Sequence, residues 1–167
     1  SFGIQIVENK IQFEKFLEDI NIFKTKFSSH KKFIVEEFIK GKELTVSTIN
    51  FSNKIEALGV TEIKHDKSFF DYQSKYSKGL AKHILPAKIT KKNYEKCLNL
   101  AIRAHSLLGC KSIARTDFIL NTNNNKIYFL ETNSQPGLTS VSLLPEQAKF
   151  KKISFPEIIL NIIQNTT

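Results

Sequence analysis

Residues 113–143 read IARTDFILNTNNNKIYFLETNSQPGLTSVSL, and this stretch decides how the rest of the chain is organised. Two short runs rich in β-branched and aromatic residues flank the segment Thr122-Asn123-Asn124-Asn125, which contains no apolar residue. A polar, turn-forming segment between two such runs predicts a β-hairpin. Gly137, after Pro136, then predicts a turn that leads out of the hairpin.

The two strands of this hairpin carry charged and amide side chains at alternating positions. Alternation puts three residues of the first strand on one face, namely Arg115, Asp117 and Ile119. It puts four residues of the second strand on one face, namely Ile127, Phe129, Glu131 and Asn133. If the loop is centred on Asn124, Asp117 lies opposite Glu131 and Arg115 opposite Asn133. A shift of one residue in register would reverse these faces.

Facing carboxylates across a strand pair repel each other, and a divalent cation bound between them would remove that cost. Asp117, Glu131 and the amide of Asn133 offer only oxygen ligands, which suit Mg²⁺ held beside phosphate groups. Arg115 would add a fixed positive charge where negative charge builds up. The pattern alone fits equally a solvated face on which Arg115 simply pairs with Asp117 or Glu131.

Several motifs in a fixed order carry a resemblance to a known family. They are R-x-D at 115–117, E-x-N at 131–133, N-x-x-P-G at 133–137 and Ser-Leu-Leu-Pro at 142–145. Others are VEEFIKGKELTV at 35–46, FFDYQSKYS at 69–77 and LGCKSIARTDFIL at 108–120. The set resembles the ATP-grasp ligases and, within them, the D-alanine–D-alanine ligase family most closely. The resemblance covers essentially the whole chain.

The resemblance implies an α+β ATP-grasp fold, with an antiparallel sheet packed against helices. Residues 1–37 would be the C-terminal part of a small, incomplete lid subdomain, and residues 38–167 the large subdomain with the metal and substrate site. The implied activity is an ADP-forming ligase that joins two D-alanines through an acyl phosphate for peptidoglycan synthesis. ATP and two Mg²⁺ ions, with Mn²⁺ as a substitute, would be its cofactors.

The resemblance also implies roles for individual residues. Metal ligands would be Asp117, Glu131 and Asn133. Nucleotide contacts would come from Ser1, Glu36, Glu37, Ile39, Glu43 and Lys75. Catalytic roles would fall to Arg115, Lys75, Tyr76, Gly137 and Ser142, with Ser142 and the N–H of Leu143 holding a substrate carboxylate. From the residues alone, Glu36 and Glu43 are interpreted as exposed charges at strand ends, and Ser142 can also be the start of a plain helix.

The remaining pattern predicts a simple set of packing elements. Helices are expected from Asn9, as N-cap, to about Phe23, from Thr90, as cap, to Leu108, and from a capping box at Ser154–Glu157 to the C-terminus. Strands are expected at 32–38, 43–51 and 54–63, and a long loop at 64–87. We expect His105 at the surface or half-buried, Cys97 and Cys110 as small buried residues, and Ile158, Ile159, Ile162 and Ile163 on the inner side of the last helix.

The net charge of +9 suits an anionic partner. Nucleic acid is one such partner and ATP another; the lysines are scattered, and charge alone does not decide between the two. The resemblance implies ATP and no nucleic acid. No apolar run approaches the roughly 18 residues that a membrane span needs, and the cysteines lack metal-binding spacing, so a cytoplasmic protein is expected.

The sequence begins at Ser1 without a Met, which we interpret as a piece of a longer ligase. An N-terminal domain would then be missing, the piece would have little or no activity, and the full protein would be a homodimer that binds D-alanine. Two alternatives stay open. One is another ATP-grasp carboxylate–amine ligase that differs at 69–77 and 137–143. The other is a non-catalytic nucleotide- or nucleic-acid-binding module, since the loop at 64–87 is both aromatic and basic.

Overall fold

The computed structural model describes residues 6–27, 34–52, 54–65 and 81–166. Its helices are α1 (Lys10–Phe27), α2 (Lys91–Leu107), α3 (Leu143–Phe150) and α4 (Phe155–Thr166). Its strands are β1 (Lys42–Phe51), β2 (Lys54–His65), β3 (Ala81–Ile84), β4 (Ile113–Leu120) and β5 (Ile127–Asn133). The strands form one antiparallel sheet in the order β3-β2-β1-β4-β5. The predicted α+β class is confirmed.

Strand β1 lies at the centre of the sheet, and its residues 44–49 are buried on both faces. It pairs with β2 through the predicted hairpin, whose turn places Ser52 at a φ of 48°. On its other side it pairs with β4, so that Thr45 lies opposite Asp117 and Ser47 opposite Arg115. The chemistry-bearing residues of β4 therefore stand against the most protected strand of the fold.

One face of the sheet packs on α2. The buried residues of this layer are Leu44, Val46, Val60, Phe118 and Leu120 from the strands and Cys97 and Ala101 from the helix. Burial raises the pKa of Cys97 to about 11, so its thiol stays protonated and behaves as the small apolar residue that the sequence predicts.

Among the described residues, the opposite face packs on the two C-terminal helices toward one end. Ile49, Leu58 and Ile113 of the sheet contact Leu144 and Ala148 of α3 and Ile158 of α4. Alternation along β1 and β4 puts Thr45 and Asp117 on this same face, closer to the other end of the strands. The face is thus divided between an apolar half under the helices and a polar half.

Three predicted helix starts are confirmed by their hydrogen bonds. Asn9 Oδ1 accepts from the N–H of Gln12 at 3.0 Å, and Thr90 Oγ1 accepts from the N–H of Asn93 at 3.3 Å. At α4, Glu157 accepts from the N–H of Ser154 at 2.7 Å, which closes the capping box. Helix α1 runs four residues past the predicted Phe23, because residues 24–27 contain no Gly or Pro to end it.

Two strand assignments from the sequence are wrong. Residues 34–38 of the predicted strand 32–38 have no regular structure, and Ile34, Val35 and Phe38 are exposed. A β-rich run forms a strand only where it finds a neighbour to pair with, and none pairs with it among the described residues. Residues 81–84, expected as loop, instead form β3 by pairing with the end of β2.

Burial differs from the expectation at three apolar or aromatic positions. His105 is fully buried, because Thr48 Oγ1 lies 2.8 Å from its Nδ1 and gives it a polar partner in the core. Ile163, which was expected to face inward, is 57% exposed, and Cys110, which was expected to be buried, is half-buried. Of the four isoleucines expected on the inner side of α4, Ile158 and Ile162 belong to the apolar cluster that α4 forms with α3 and the sheet.

Candidate functional site

The hairpin formed by β4 and β5 brings four candidate residues together. Asp117 lies directly opposite Glu131, and Arg115 lies directly opposite Asn133. These are the two pairings that the sequence predicted, although the pairs next to the loop, such as Leu120 with Ile127, are not centred on Asn124. Because directly opposed residues share a face, both carboxylates, the guanidinium and the amide stand on one side of the sheet.

A β-bulge in β5 corrects the predicted faces of the second strand. Phe118 pairs with Phe129 while Asp117 pairs with Glu131, which leaves Leu130 as an extra residue. Phe129 and Ile127 therefore lie on the face opposite Glu131, not on the same face as predicted. The rings of Phe118 and Phe129 meet edge to face with centroids 6.0 Å apart. The bulge allows an apolar contact below the sheet and a carboxylate above it.

The carboxylate of Asp117 is held by three donated hydrogen bonds. Arg115 Nε donates to Oδ1 at 3.0 Å and a terminal guanidinium nitrogen donates to Oδ2 at 2.9 Å. Thr45 Oγ1 also donates to Oδ1, at 2.5 Å. Both side chains of the ion pair are mostly shielded from solvent, with 23% and 16% exposure. A two-point contact of this kind sets the geometry of the carboxylate and the guanidinium relative to each other.

The partners on β5 are less restrained. Glu131 is exposed, and its carboxylate has no hydrogen bond or ion pair among the residues that the structure describes. Asn133 Oδ1 accepts from the N–H of Gln135 at 2.8 Å, a local turn that points the strand into the following loop. Glu131 thus offers an uncommitted carboxylate opposite a fixed one.

The donor set fits a hard divalent cation in its chemistry. Within the described ranges, no three His, Cys, Asp or Glu side chains cluster closely enough to hold a metal by themselves. A cation on this face would therefore depend on two carboxylates, Asp117 and Glu131, with the amide oxygen of Asn133 and oxygens from a bound anion. Such oxygen-rich, incompletely filled sets are typical of Mg²⁺ bound with phosphate.

The expected nucleotide residues lie at the start of β1. Glu36 and Glu37 are exposed and Ile39 is half-buried in the irregular segment at 34–40. Glu43 is half-buried on β1, two residues before Thr45 and opposite Ile119, so it shares the face of Asp117. At Gly41 any Cβ would collide with the backbone carbonyl of Leu120, so the chain reaches β1 only with glycine there.

The expected substrate loop lies between β5 and α3. Ser142 is the N-cap residue of α3, as predicted, but its side chain makes no capping bond to the helix. Instead its Oγ accepts from the N–H of Thr139 at 3.1 Å and lies 2.8 Å from Thr139 Oγ1. A Cβ on Gly137 would lie 2.8 Å from that same Oγ, so the turn closes tightly around the hydroxyl.

Sequence reasoning did not find three polar residues that surround this face. Gln147 of α3 is fully buried and bonds to the backbone of Ser47 and Thr45 and to Thr61 Oγ1. His83 Nδ1 of β3 lies 2.9 Å from the Glu146 carboxylate of α3. Thr45 is the third. Each contact joins residues far apart in the chain, so no local pattern signals it.

Three of the expected site residues, Ser1, Lys75 and Tyr76, lie outside the described residues, as does the segment 66–80 that contains the aromatic and basic loop.

The fold and the polar face define the class of protein. An antiparallel five-stranded sheet with packed helices, carrying paired carboxylates and an arginine on one face, is the ATP-grasp architecture that the sequence predicted. The chain matches the family described as "D-ala D-ala ligase C-terminus" over residues 1–164. It therefore belongs to the D-alanine–D-alanine ligase family.

Similar proteins include sequences and solved structures of such ligases. A D-alanine–D-alanine ligase of Wolbachia pipientis wMel is 43% identical over 137 residues, covering 81% of this chain and 42% of that protein. The VanG D-Ala:D-Ser ligase of Enterococcus faecalis superposes with a TM-score of 0.78 at 29% identity, over 99% of this chain and 46% of its own. The ATP complex of the Bacillus anthracis D-alanine–D-alanine ligase superposes with a TM-score of 0.70 at 26% identity, over 96% of this chain and 49% of its own.

The chain spans about half the length of the curated relatives that it matches. Within the part of the chain that the structure describes, none of the helices has the length and apolar character that crossing a bilayer requires.

Proposed function

We propose that this chain supplies the nucleotide-, metal- and substrate-binding half of an ATP-dependent ligase that joins two D-alanines for the bacterial cell wall. The observation that carries the proposal is the direct opposition of Asp117 and Glu131 beside an ordered Arg115, in a member of this family. The ATP complex of the Bacillus anthracis relative supports the choice of nucleotide. The division into a partial lid at 1–37 and a large subdomain at 38–167 is part of the proposal.

Asp117, Glu131 and Asn133 would hold the divalent cations, Mg²⁺ in the first place. When bound, such ions neutralise the negative charge of the phosphate groups. The chain's own residues prepare the place for them. Thr45 and Arg115 orient the Asp117 carboxylate, and β-pairing sets Glu131 opposite it. Little covalent chemistry is required of the protein, because phosphoryl transfer depends mainly on positioning and on charge neutralisation.

Arg115 would stabilise charge as the reaction proceeds. In the proposed scheme the carboxylate of one D-alanine attacks the γ-phosphate of ATP, forming an acyl phosphate and releasing ADP. The amine of the second D-alanine then attacks the acyl carbonyl, and phosphate leaves. The bidentate contact with Asp117 holds the guanidinium still, so it needs no reorganisation when negative charge develops nearby.

The turn at 137–142 and the start of α3 would bind the second substrate. Ser142 Oγ is held by Thr139, and the first N–H groups of α3 follow it. A helix N-terminus favours a carboxylate. Glu43, and Glu36, Glu37 and Ile39 before it, would receive the nucleoside. Ser1 and Lys75 as nucleotide contacts, and Lys75 and Tyr76 as catalytic residues, are also part of the proposal.

The test uses the full natural protein that contains this sequence. We expect Mg²⁺-dependent phosphate release from ATP with D-alanine, and D-alanyl-D-alanine in the products by mass spectrometry. Glu131→Gln should lower the rate at least as much as loss of a residue that supports a metal ligand does, about 10–100-fold. Glu56→Gln, which changes a surface residue paired with Lys54, should leave the rate unchanged. A folded protein that binds no Mg-ATP, or that releases phosphate only with other amino acids, would contradict the proposal.

A second substrate other than D-alanine is the alternative that one observation favours. The chain superposes on a D-Ala:D-Ser ligase with a TM-score of 0.78. Supplying D-alanine with D-serine in competition and weighing the two dipeptides separates these activities. We also propose that the full protein is a cytoplasmic homodimer. Sedimentation of the purified protein tests the dimer, and fractionation of the source cells tests the location.

A further inference from the structure

Thr45 is a buried residue that contacts the candidate metal site from the neighbouring strand. It lies on the central strand β1, has no exposed surface, and stands opposite Asp117 on one side and Thr61 on the other. Its Oγ1 donates to Asp117 Oδ1 at 2.5 Å. The same Oδ1 accepts from Arg115 Nε, so this oxygen is shared between a neutral donor and a charged one.

The backbone of Thr45 is itself held by a side chain of α3, Gln147. Gln147 Nε2 donates to the Thr45 carbonyl at 3.2 Å and to Thr61 Oγ1 at 2.9 Å, and its Oε1 accepts from the N–H of Ser47 at 2.8 Å. Gln147 belongs to α3, the helix that begins after Ser142. One fully buried amide therefore ties the substrate-loop helix to the strand that orients Asp117.

We infer that Thr45 is a positioning residue for the Asp117 carboxylate, and that Gln147 fixes Thr45 in that role. The inference rests on the proposed function, because Asp117 has to be a metal ligand for its orientation to matter. The physical reason is rotational. The Asp117 carboxylate can turn about its last torsion, and Arg115 alone would draw it toward the guanidinium. The hydroxyl of Thr45 donates a hydrogen bond from a second direction, so the Asp117 carboxylate is held in one orientation.

Loss of this hydroxyl should weaken cation binding without changing the shape of the core. Hydrogen bonds that orient a metal ligand typically contribute 10–100-fold to metal affinity. Thr45→Val keeps the volume and the branching of the side chain but removes its donor. Thr45→Ser keeps the donor. The two variants therefore separate the hydroxyl from the packing.

Thr116 provides a matched control on the neighbouring strand. It is also fully buried, and its Oγ1 lies 3.0 Å from Thr132 Oγ1, but it is on the opposite face from Asp117. Thr116→Val therefore removes a hydroxyl from an equivalent depth without contact with the candidate site. The two valine variants should lose similar stability, which thermal unfolding measures.

The experiment measures Mn²⁺ binding in the presence of a non-hydrolysable ATP analogue, by the loss of the free-Mn²⁺ signal in electron paramagnetic resonance. The full natural protein containing this sequence is used. We expect Thr45→Val to raise the dissociation constant about 10–100-fold, with Thr45→Ser and Thr116→Val within about threefold of the wild type. Should Thr45→Val not fold, Thr45→Cys, which keeps only a weak donor, is expected to show the same loss.

Each outcome decides between the two proposals. Wild-type binding with an unaffected Thr45→Val, or an equal loss in Thr116→Val, would overturn the positioning role and leave the proposed function intact. Failure of Thr45→Ser to restore affinity would also overturn it. A wild-type protein that binds neither Mn²⁺ nor the nucleotide would overturn the proposed function, and the inference with it.

Discussion

Replacing Gln147 by Leu should be among the most destabilising changes in the molecule. Its side-chain amide satisfies the N–H of Ser47, the carbonyl of Thr45 and the hydroxyl of Thr61, and the residue has no exposed surface. Leucine fits the volume but makes none of these bonds. A buried polar group left without a partner costs about 1–3 kcal/mol.

Since two to three groups lose their partner together, we expect a total loss of about 3–5 kcal/mol in the free energy of unfolding. For a chain of this size that corresponds to a fall in Tm of about 6–20 °C. Gln147→Glu should fall between the wild type and Gln147→Leu if its carboxyl is protonated, because it then keeps an acceptor for Ser47 and one donor.

Urea unfolding followed by circular dichroism measures the loss. Gln164→Leu is the control, because Gln164 is exposed on α4, and its effect should stay within about 0.5 kcal/mol. A Gln147→Leu protein less than about 1 kcal/mol weaker than the wild type would refute the reasoning. It would mean that the strand groups find other partners or water when the amide is removed.

Two further predictions concern a buried histidine and a tight glycine. Burial lowers the pKa of His105 below its ordinary 6.5, so the unfolded chain takes up a proton before the folded one does. Stability should therefore fall as the pH drops below about 6.5, and less so in His105→Gln; equal slopes of unfolding free energy against pH would contradict this. Gly41→Ala should cost about 1–3 kcal/mol because its Cβ meets the Leu120 carbonyl, and an unchanged Tm would contradict it.

The hairpin could be predicted from local sequence because its loop chemistry is unambiguous. Four polar turn-formers between two β-rich runs fix where the chain reverses. Next to the loop, Leu120 pairs with Ile127, half a residue away from symmetry about Asn124, and the bulge brings Asp117 opposite Glu131. The bulge at Leu130 could not be predicted in this way. It depends on how β5 accommodates the ring of Phe129 against Phe118, a contact made only once both strands are paired.

The helix starts were predictable for the same local reason. Asn9, Thr90 and Ser154 each cap the helix that follows within three residues. The strand at 81–84 was missed because it forms by pairing with the end of β2, and this pairing exists only in the assembled sheet. The exposed segment at 34–38 is the opposite case: its composition is β-rich, but no described strand lies beside it to pair with, and it forms no strand.

The candidate ligands were found from the sequence, but the residues that hold them were not. Thr45 and Asp117 are separated by 72 positions and Ser47 and Gln147 by 100. Threonine in a strand and glutamine in a helix are ordinary residues in those settings. Only the folded arrangement distinguishes them from their neighbours.

Strands β4 and β5 differ in how firmly they are held, and the candidate ligands are divided between them. Asp117 lies on a strand paired on both sides, whereas Glu131 and Asn133 lie on the last strand of the described sheet. Backbone amides of such an outer strand exchange with solvent through local opening, at a lower free energy than the interior strands require. A ligand gripped by both strands would therefore slow deuterium uptake most in residues 127–133, so exchange rates there report occupancy without any catalytic turnover.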